Sequence, residues 1–267
     1  MSTLTRIFIA SNPEPGESFT LLSEEAHHLT KVLRTKPGDG FEAVTASGRV
    51  CLAELGEGGL AVLIGVIDGS SEALSTSSIS STAARQVVLY QAVPKGKRME
   101  VVVEKATEVG VGRIVPILTE RSVVKPGEGN KLERWRRIAE SAARQSLRVD
   151  VPEVVSPVEF SEAVREAGVG IILHNAPDLP VFERAVGGRE GDISLFIGHE
   201  GGWTEGELRL AEESGVSPAQ MGPYRLRSET AGLVAVVRAR TAIELAGANV
   251  AGHRLSVEDT PEEGRSE

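Results

Sequence analysis

The alternation of apolar and polar positions changes character once along this chain. In the first quarter, short runs at 6–9, 41–46, 49–55 and 60–67 alternate with period two, split by Ser47-Gly48 and by the glycine-rich stretch 56–59. These read as strands. A helix at 23–34 interrupts them, with Ser23 as its expected cap and Pro37-Gly38 beyond its end. On it His28, Lys31 and Arg34 lie three apart, opposite an apolar stripe of Leu29, Val32 and Leu33. Past residue 84 the pattern becomes strand at 87–93, helix at 97–109, strand at 113–118, helices at 131–147 and 159–166, and strands at 169–173 and 193–197. Strands alternating with helices predict an α/β domain with a parallel sheet. The serine- and threonine-rich segment 71–84 reads as a linker. We therefore expect a β-rich unit over 1–70, an α/β domain over 85–250 and a disordered acidic tail over 251–267.

The most informative stretch is 193–231. A buried strand stops at Gly198-His199-Glu200-Gly201-Gly202, and Thr204 then stands where a helix begins, followed by Glu205 and Glu207. A second loop repeats the arrangement, with a short strand from about Ala219, a Gly222-Pro223 turn and a helix from about Ser228. A third, Leu173-His174-Asn175-Ala176-Pro177, leaves another strand at the same end. Strand, glycine loop and helix in that order place a ligand at the carboxyl edge of a parallel sheet. A lone glycine pair reads more readily as a tight strand-to-helix turn; the recurrence favours a pocket. Glycines remove side chains where a flat ligand meets peptide groups and permit positive φ. Neither loop carries dinucleotide or triphosphate spacing. Glu200 would repel a phosphate, so the ligand is neutral or cationic at that end.

Composition narrows this further. The 267 residues are 40% apolar and 25% charged, with no apolar run that would span a bilayer. The amino terminus lacks a secretory apolar core, so a cytoplasmic protein is expected. A single cysteine, Cys51, excludes an internal disulfide, and with five scattered histidines no metal site is expected. The net charge of −9 is unevenly spread. Glu258, Asp259, Glu262, Glu263 and Glu267 stand against Arg265, whereas between Lys131 and Arg148 six cations face two acids. That basic stretch is a solvated helix face or a phosphate-binding surface.

Tyr90-Gln91-Ala92-Val93-Pro94-Lys95-Gly96, Glu104-Lys105-Ala106-Thr107-Glu108-Val109-Gly110, Glu120-Arg121-Ser122, Arg134-Trp135-Arg136-Arg137, the Gly198–Gly202 loop and Arg225-Leu226-Arg227-Ser228-Glu229-Thr230-Ala231 together resemble the RsmE family. The resemblance spans nearly the whole chain. It implies a SPOUT-type parallel sheet threaded into a trefoil knot, preceded by a PUA-like RNA-binding β-barrel. It also implies a homodimer that uses S-adenosyl-L-methionine to methylate N3 of one uridine in 16S ribosomal RNA, free or in the assembled small subunit, with no membrane or metal partner. One departure is His199, where the family usually carries proline, which gives up a fixed φ in the loop.

On that reading peptide groups of Leu173, Gly198, Gly202, Met221 and Leu226 hold the adenosine, with His174, Glu200, Gly201, Gly222, Thr230 and Ala231 completing the cofactor site. Uridine N3 must lose a proton before it attacks, so a base or a cation favouring the anion is needed. Glu229 and Arg227 are the candidates. Glu229 reads equally as an acid stabilised by a helix amino terminus. Arg6, His28, Lys31, Arg34, Arg121, Arg144 and Arg148 are the expected RNA contacts. The rivals are a SPOUT ribose 2′-O-methyltransferase acting on transfer or large-subunit RNA, and a non-catalytic RNA-binding assembly protein.

Overall fold

The computed structural model describes residues 4–67, 85–122, 130–187 and 191–255, so the expected linker at 71–84 and everything past 255 lie outside the described residues. Two units emerge, one of residues 1–84 with 136–152, the other of 85–135 with 153–267. Residues 136–152, which sequence reading gave to the second domain, thus belong with the first.

In the first unit the described strands are β1 (Arg6–Phe8), β2 (Ser18–Thr20), β3 (Gly40–Val44), β4 (Val50–Leu55) and β5 (Leu60–Val66). Their order is β1-β3-β4-β5-β2, antiparallel except where β1 runs parallel to β3. Inward positions alternate as period two demands and bury Ile7, Phe19, Phe41, Ala53, Leu55 and Leu63 around Leu29. At three residues, β2 is too short for alternation to register in the sequence. Residues 136–152 join this unit through ion pairs: Arg144 lies 2.7 Å from Glu25, and Arg6, 2.6 Å from Glu42, also donates to the carbonyls of Leu147 and Arg148.

The expected helix at 23–34 is corrected. Only Ser23–His27 (α1) is α-helical, and His28–Val32 is a π turn closed by Leu33 N–H donating to the His28 carbonyl at 3.0 Å. Leu22, not Ser23, holds the cap position, with no side-chain capping bond. The wider turn breaks the expected stripe: Leu29 is buried, while Val32 and Leu33 face solvent. Arg34 sits in the left-handed region at φ 59°.

The second unit runs β6 (Val87–Ala92), α2 (Arg98–Glu108), β7 (Arg113–Leu118), the start of α3 (Lys131–Gln145), β8 (Glu153–Val154), β9 (Val158–Glu159), α4 (Phe160–Ala167), β10 (Gly170–Leu173), α5 (Phe182–Val186), β11 (Ile193–Ile197), α6 (Glu205–Glu213), β12 (Val216–Ala219) and α7 (Ser228–Leu255). Its strands are parallel, in the order β12-β10-β11-β6-β7-β8, with β9 also on β7. β6 and β11 are buried along their whole length, hence their runs are apolar but for Gln91 and Ser194. Pro218 is tolerated because β12 is the edge. Sequence reading began that strand near Ala219, where it in fact ends. It also missed β8, β9 and α5, each of five residues or fewer. The helix α7 packs against α2, α5, β6 and β11 and continues to Leu255, five residues into the stretch expected to be tail. No described helix is long and apolar enough to cross a membrane.

Candidate functional site

The register of the sheet makes the site. Leu173 pairs with Ile197 on one side and Ala219 on the other, and Ile197 pairs with Gln91. Four strands therefore end in one row, and the three loops leave side by side at the carboxyl edge. They enclose a cavity of about 580 Å³, a size in the ordinary range for small-ligand sites.

Side chains fasten the loops to one another. Trp203 donates Nε1–H to the Leu173 carbonyl at 2.9 Å, tying the 198–202 loop to the 173–177 loop. Ser228 Oγ–H donates to the Gly198 carbonyl at 2.6 Å, tying the start of α7 to the 198–202 loop, and accepts from Gln91 Nε2 at 2.8 Å. The Trp203 ring is held from below by Phe160, centroids 5.0 Å apart, and Phe160 meets Phe196 edge-on while Phe196 stacks on Tyr90 at 4.4 Å. The helix α6 begins at a capping box: Thr204 accepts from Glu207 N–H, and the Glu207 carboxylate accepts from Thr204 N–H at 2.8 Å.

The glycines serve two purposes. A Cβ at Gly198 would lie 3.0 Å from Trp203 Cε2, and one at Gly201 would lie 3.2 Å from Arg121 Cδ. Neither has positive φ, so the conformational reason expected for them is corrected to close approach. Positive φ is required at Gly202 (70°) and Gly222 (127°).

Charge at the mouth is paired. Glu200 lies 2.5 Å from Arg98 Nη1 and 2.8 Å from His199 Nε2, and Arg225 donates to its backbone carbonyl at 2.9 Å. Burial alone would push the Glu200 carboxyl up, but its own backbone amide, His199 and Arg98 outweigh it and hold the group below the usual carboxylate range. His199 also accepts from Gly201 N–H at 3.2 Å, so the imidazole braces the loop in place of a fixed φ. Arg98 reaches Glu229 as well, at 3.8 Å.

Of the residues expected at the cofactor site, Leu173, His174, Gly198, Glu200, Gly201, Gly202, Met221, Gly222, Leu226 and Ala231 line the cavity. Thr230 does not: it lies one residue beyond Glu229 in the first turn of α7 and faces solvent. Arg227 lines the cavity, whereas Glu229 stands beside it, its Oε2 buried without a hydrogen-bond partner. Among the expected RNA contacts, Arg121 lines the cavity and donates to the Gly201 carbonyl. Arg6, Arg144 and Arg148, expected as RNA contacts, are ion-paired with Glu42, Glu25 and Asp150 within the first unit. Lys31 and Arg34 are exposed and His28 half-buried. Sequence reasoning missed Gln91, Arg98, Trp203 and Ser228, although three of the four stand inside motifs it singled out.

The profile of the RNA methyltransferase domain family matches residues 81–240, and that of the RNA methyltransferase PUA domain matches 21–65. The ribosomal RNA small subunit methyltransferase E of Synechocystis sp. is 32% identical over 246 residues, covering 90% of this chain and 78% of that protein. A Legionella pneumophila structure in complex with the cofactor SAM superposes with a TM-score of 0.78 at 29% identity, covering 92% of this chain and 98% of that one. The ribosomal RNA small subunit methyltransferase E of Neisseria gonorrhoeae, bound to S-adenosyl methionine, gives 0.76 at 26% identity, covering 89% and 97%. With its matched domains and full-length relatives, the chain belongs to the ribosomal RNA small subunit methyltransferase E family of RNA methyltransferases.

Proposed function

We propose that this protein transfers a methyl group from S-adenosylmethionine to N3 of a uridine in 16S ribosomal RNA. The observation that carries the reading is the convergence of three fastened loops on one cavity, with the backbone at Gly198 packed so closely on Trp203 that a Cβ would lie 3.0 Å from its ring. The cofactor fits such a cradle: peptide groups of Leu173, Gly198, Met221 and Leu226 would hold it, with the Glu200 carboxylate, kept ionised by its partners, at the rim. Bound there, it supplies a methyl group on a sulfonium, already a good leaving group.

The chain's own task is placement and one proton. Glu229, with an unpartnered Oε2 next to the cavity, is the candidate acceptor of the N3 proton. Arg227, exposed at the mouth, favours the uridine anion by its charge. The exposed ring of Tyr224 on the cavity rim offers a base a stacking surface. Exposed Lys31 and Arg34 in the PUA-type unit supply cations for the RNA backbone. The same reading makes the working form a cytoplasmic homodimer, for which exposed Val101 on α2 and Val237 and Leu245 on α7 supply apolar surface, and threads the chain into a trefoil where α7 returns beneath β6 and β11.

Two measurements test this. Ribosomal RNA from a deletion strain should lack one base-methylated uridine, restored by the wild-type gene; a lost ribose methyl instead refutes the assignment. Glu229→Gln should slow transfer by about 10²- to 10⁴-fold, the usual worth of a general base, with cofactor affinity kept. Equal loss of rate and affinity would mean that Glu229 only holds the start of α7.

A further inference from the structure

Gln91 sits at the penultimate position of β6 with no exposed surface. Its Nε2 donates both to Ser228 Oγ, at 2.8 Å, and to the Ala92 carbonyl, at 3.1 Å. The amide cannot be turned over, since its oxygen would then face that carbonyl. A hydroxyl has one proton to give. Because Ser228 accepts from Gln91, its proton goes to the Gly198 carbonyl, 2.6 Å away. The relay Gln91 to Ser228 to Gly198 therefore runs in one direction only.

The other end of the amide is informative. Gln91 Oε1 is buried without a hydrogen-bond partner and faces Gly232 of α7, where a Cβ would lie 2.5 Å from it. A buried carbonyl left unpaired is costly, and an apolar side chain of the same shape would avoid the cost. What the apolar side chain would lack is the donor aimed at Ser228.

We infer that Gln91 is a positioning residue for cofactor binding: its amide orients the Ser228 hydroxyl, which clamps the glycine loop at Gly198 to the start of α7. The inference rests on the reading of the cavity as the S-adenosylmethionine site. Gln91 is absent from the cavity wall and acts only through Ser228, which lines it.

The test uses the full chain with Gln91→Met, Ser228→Ala and Ser228→Thr, and two readouts. Hydrogen exchange of the cofactor-free protein reports on peptides covering 198–203. Calorimetry with S-adenosylmethionine and steady-state kinetics on small-subunit RNA report on binding and turnover. Gln91→Met and Ser228→Ala should each speed exchange of the loop and weaken cofactor binding by about tenfold, the scale of one lost hydrogen bond. In Gln91→Met, kcat at saturating cofactor and KM for RNA should stay within about twofold, a split that general loss of fold does not produce. Ser228→Thr, which keeps the hydroxyl, should restore parental values. Should Gln91→Met not fold, Gln91→Leu, likewise apolar and without the donor, takes its place. Parental exchange rates in the loop of Gln91→Met or of Ser228→Ala overturn the inference, as does a fall of kcat of Gln91→Met in parallel with both affinities. A parent chain that binds no S-adenosylmethionine while the variants still loosen the loop overturns the cofactor reading and leaves the relay standing.

Discussion

Gly198→Ala asks how much of the site depends on a single missing methyl group. The added Cβ would stand 3.0 Å from Trp203 Cε2 and 3.2 Å from its Nε1. Carbon atoms rest comfortably at about 3.5–4.0 Å, so one side must retreat by roughly 0.5–1.0 Å. The indole has little room to do so: Phe160 packs against its ring, and its Nε1–H is bonded to the Leu173 carbonyl. Overpacking of this kind costs about 1–3 kcal/mol. If the indole tilts away it also gives up a bond worth about 0.5–1.5 kcal/mol. Each kcal/mol lowers the melting temperature of a chain this size by about 2–4 °C, so differential scanning fluorimetry resolves the loss. Cofactor affinity should fall at the same time, by about tenfold or more, because the displaced groups fasten the 198–202 loop to the 173–177 loop. Gly202→Ala is the control: nothing lies within 4 Å of its Cβ, and its φ of 70° costs only the backbone penalty, about 1–2 kcal/mol. If Gly198→Ala melts and binds like the parent, the indole is not a fixed wall and the account of the cradle is wrong.

Two further predictions concern the first unit. Arg144→Ala leaves Glu25, 3% exposed, without its cation and should destabilise the protein by about 3 kcal/mol, the low end for a broken buried pair because Arg144 is partly exposed. Burial pushes the Glu25 carboxyl above its ordinary 4.5, with Arg144 opposing it. A raised carboxyl contributes fully below that ordinary value and loses the contribution as pH rises through the folded value. The variant's deficit in urea unfolding should therefore widen from pH 4.5 towards neutrality and narrow in more acid solution; a pH-independent deficit would refute the pairing. Lys31→Ala and Arg34→Ala should each weaken RNA binding and reduce the slope of log K against log salt by about 0.7–0.9, with cofactor affinity unchanged. An unaltered slope would remove them from the RNA surface.

What the sequence revealed and what it hid divide along one physical line. Strands β6, β7 and β11, the cap at Thr204 and the start of α7 were legible because each is fixed by residues adjacent in the chain. Two of the three loops were legible because glycine recurs where their strands end, and the third, at 173–177, because it leaves an apolar strand at the same end. Partners were not legible. Arg144 appears in the sequence as part of a basic stretch, yet Glu25 claims it, and nothing in helical spacing announces a carboxylate 119 residues away. The π turn at His28–Val32 was hidden for a related reason, since period analysis assumes the turn it sets out to detect.

The same division explains why the fasteners were missed. A site built from peptide groups shows itself in sequence by what it lacks, side chains, and so draws attention to Gly198, Gly201 and Gly202. Peptide groups on loops are only as well placed as whatever holds the loops, and here that work falls to Trp203, Ser228, Gln91 and Arg121. Their hydrogen bonds span between 30 and 137 residues of chain. It follows that losses of affinity in this protein should arise as readily from residues that never touch the ligand as from those that do, and that Gly198 is intolerant less for its own conformation than for the indole behind it.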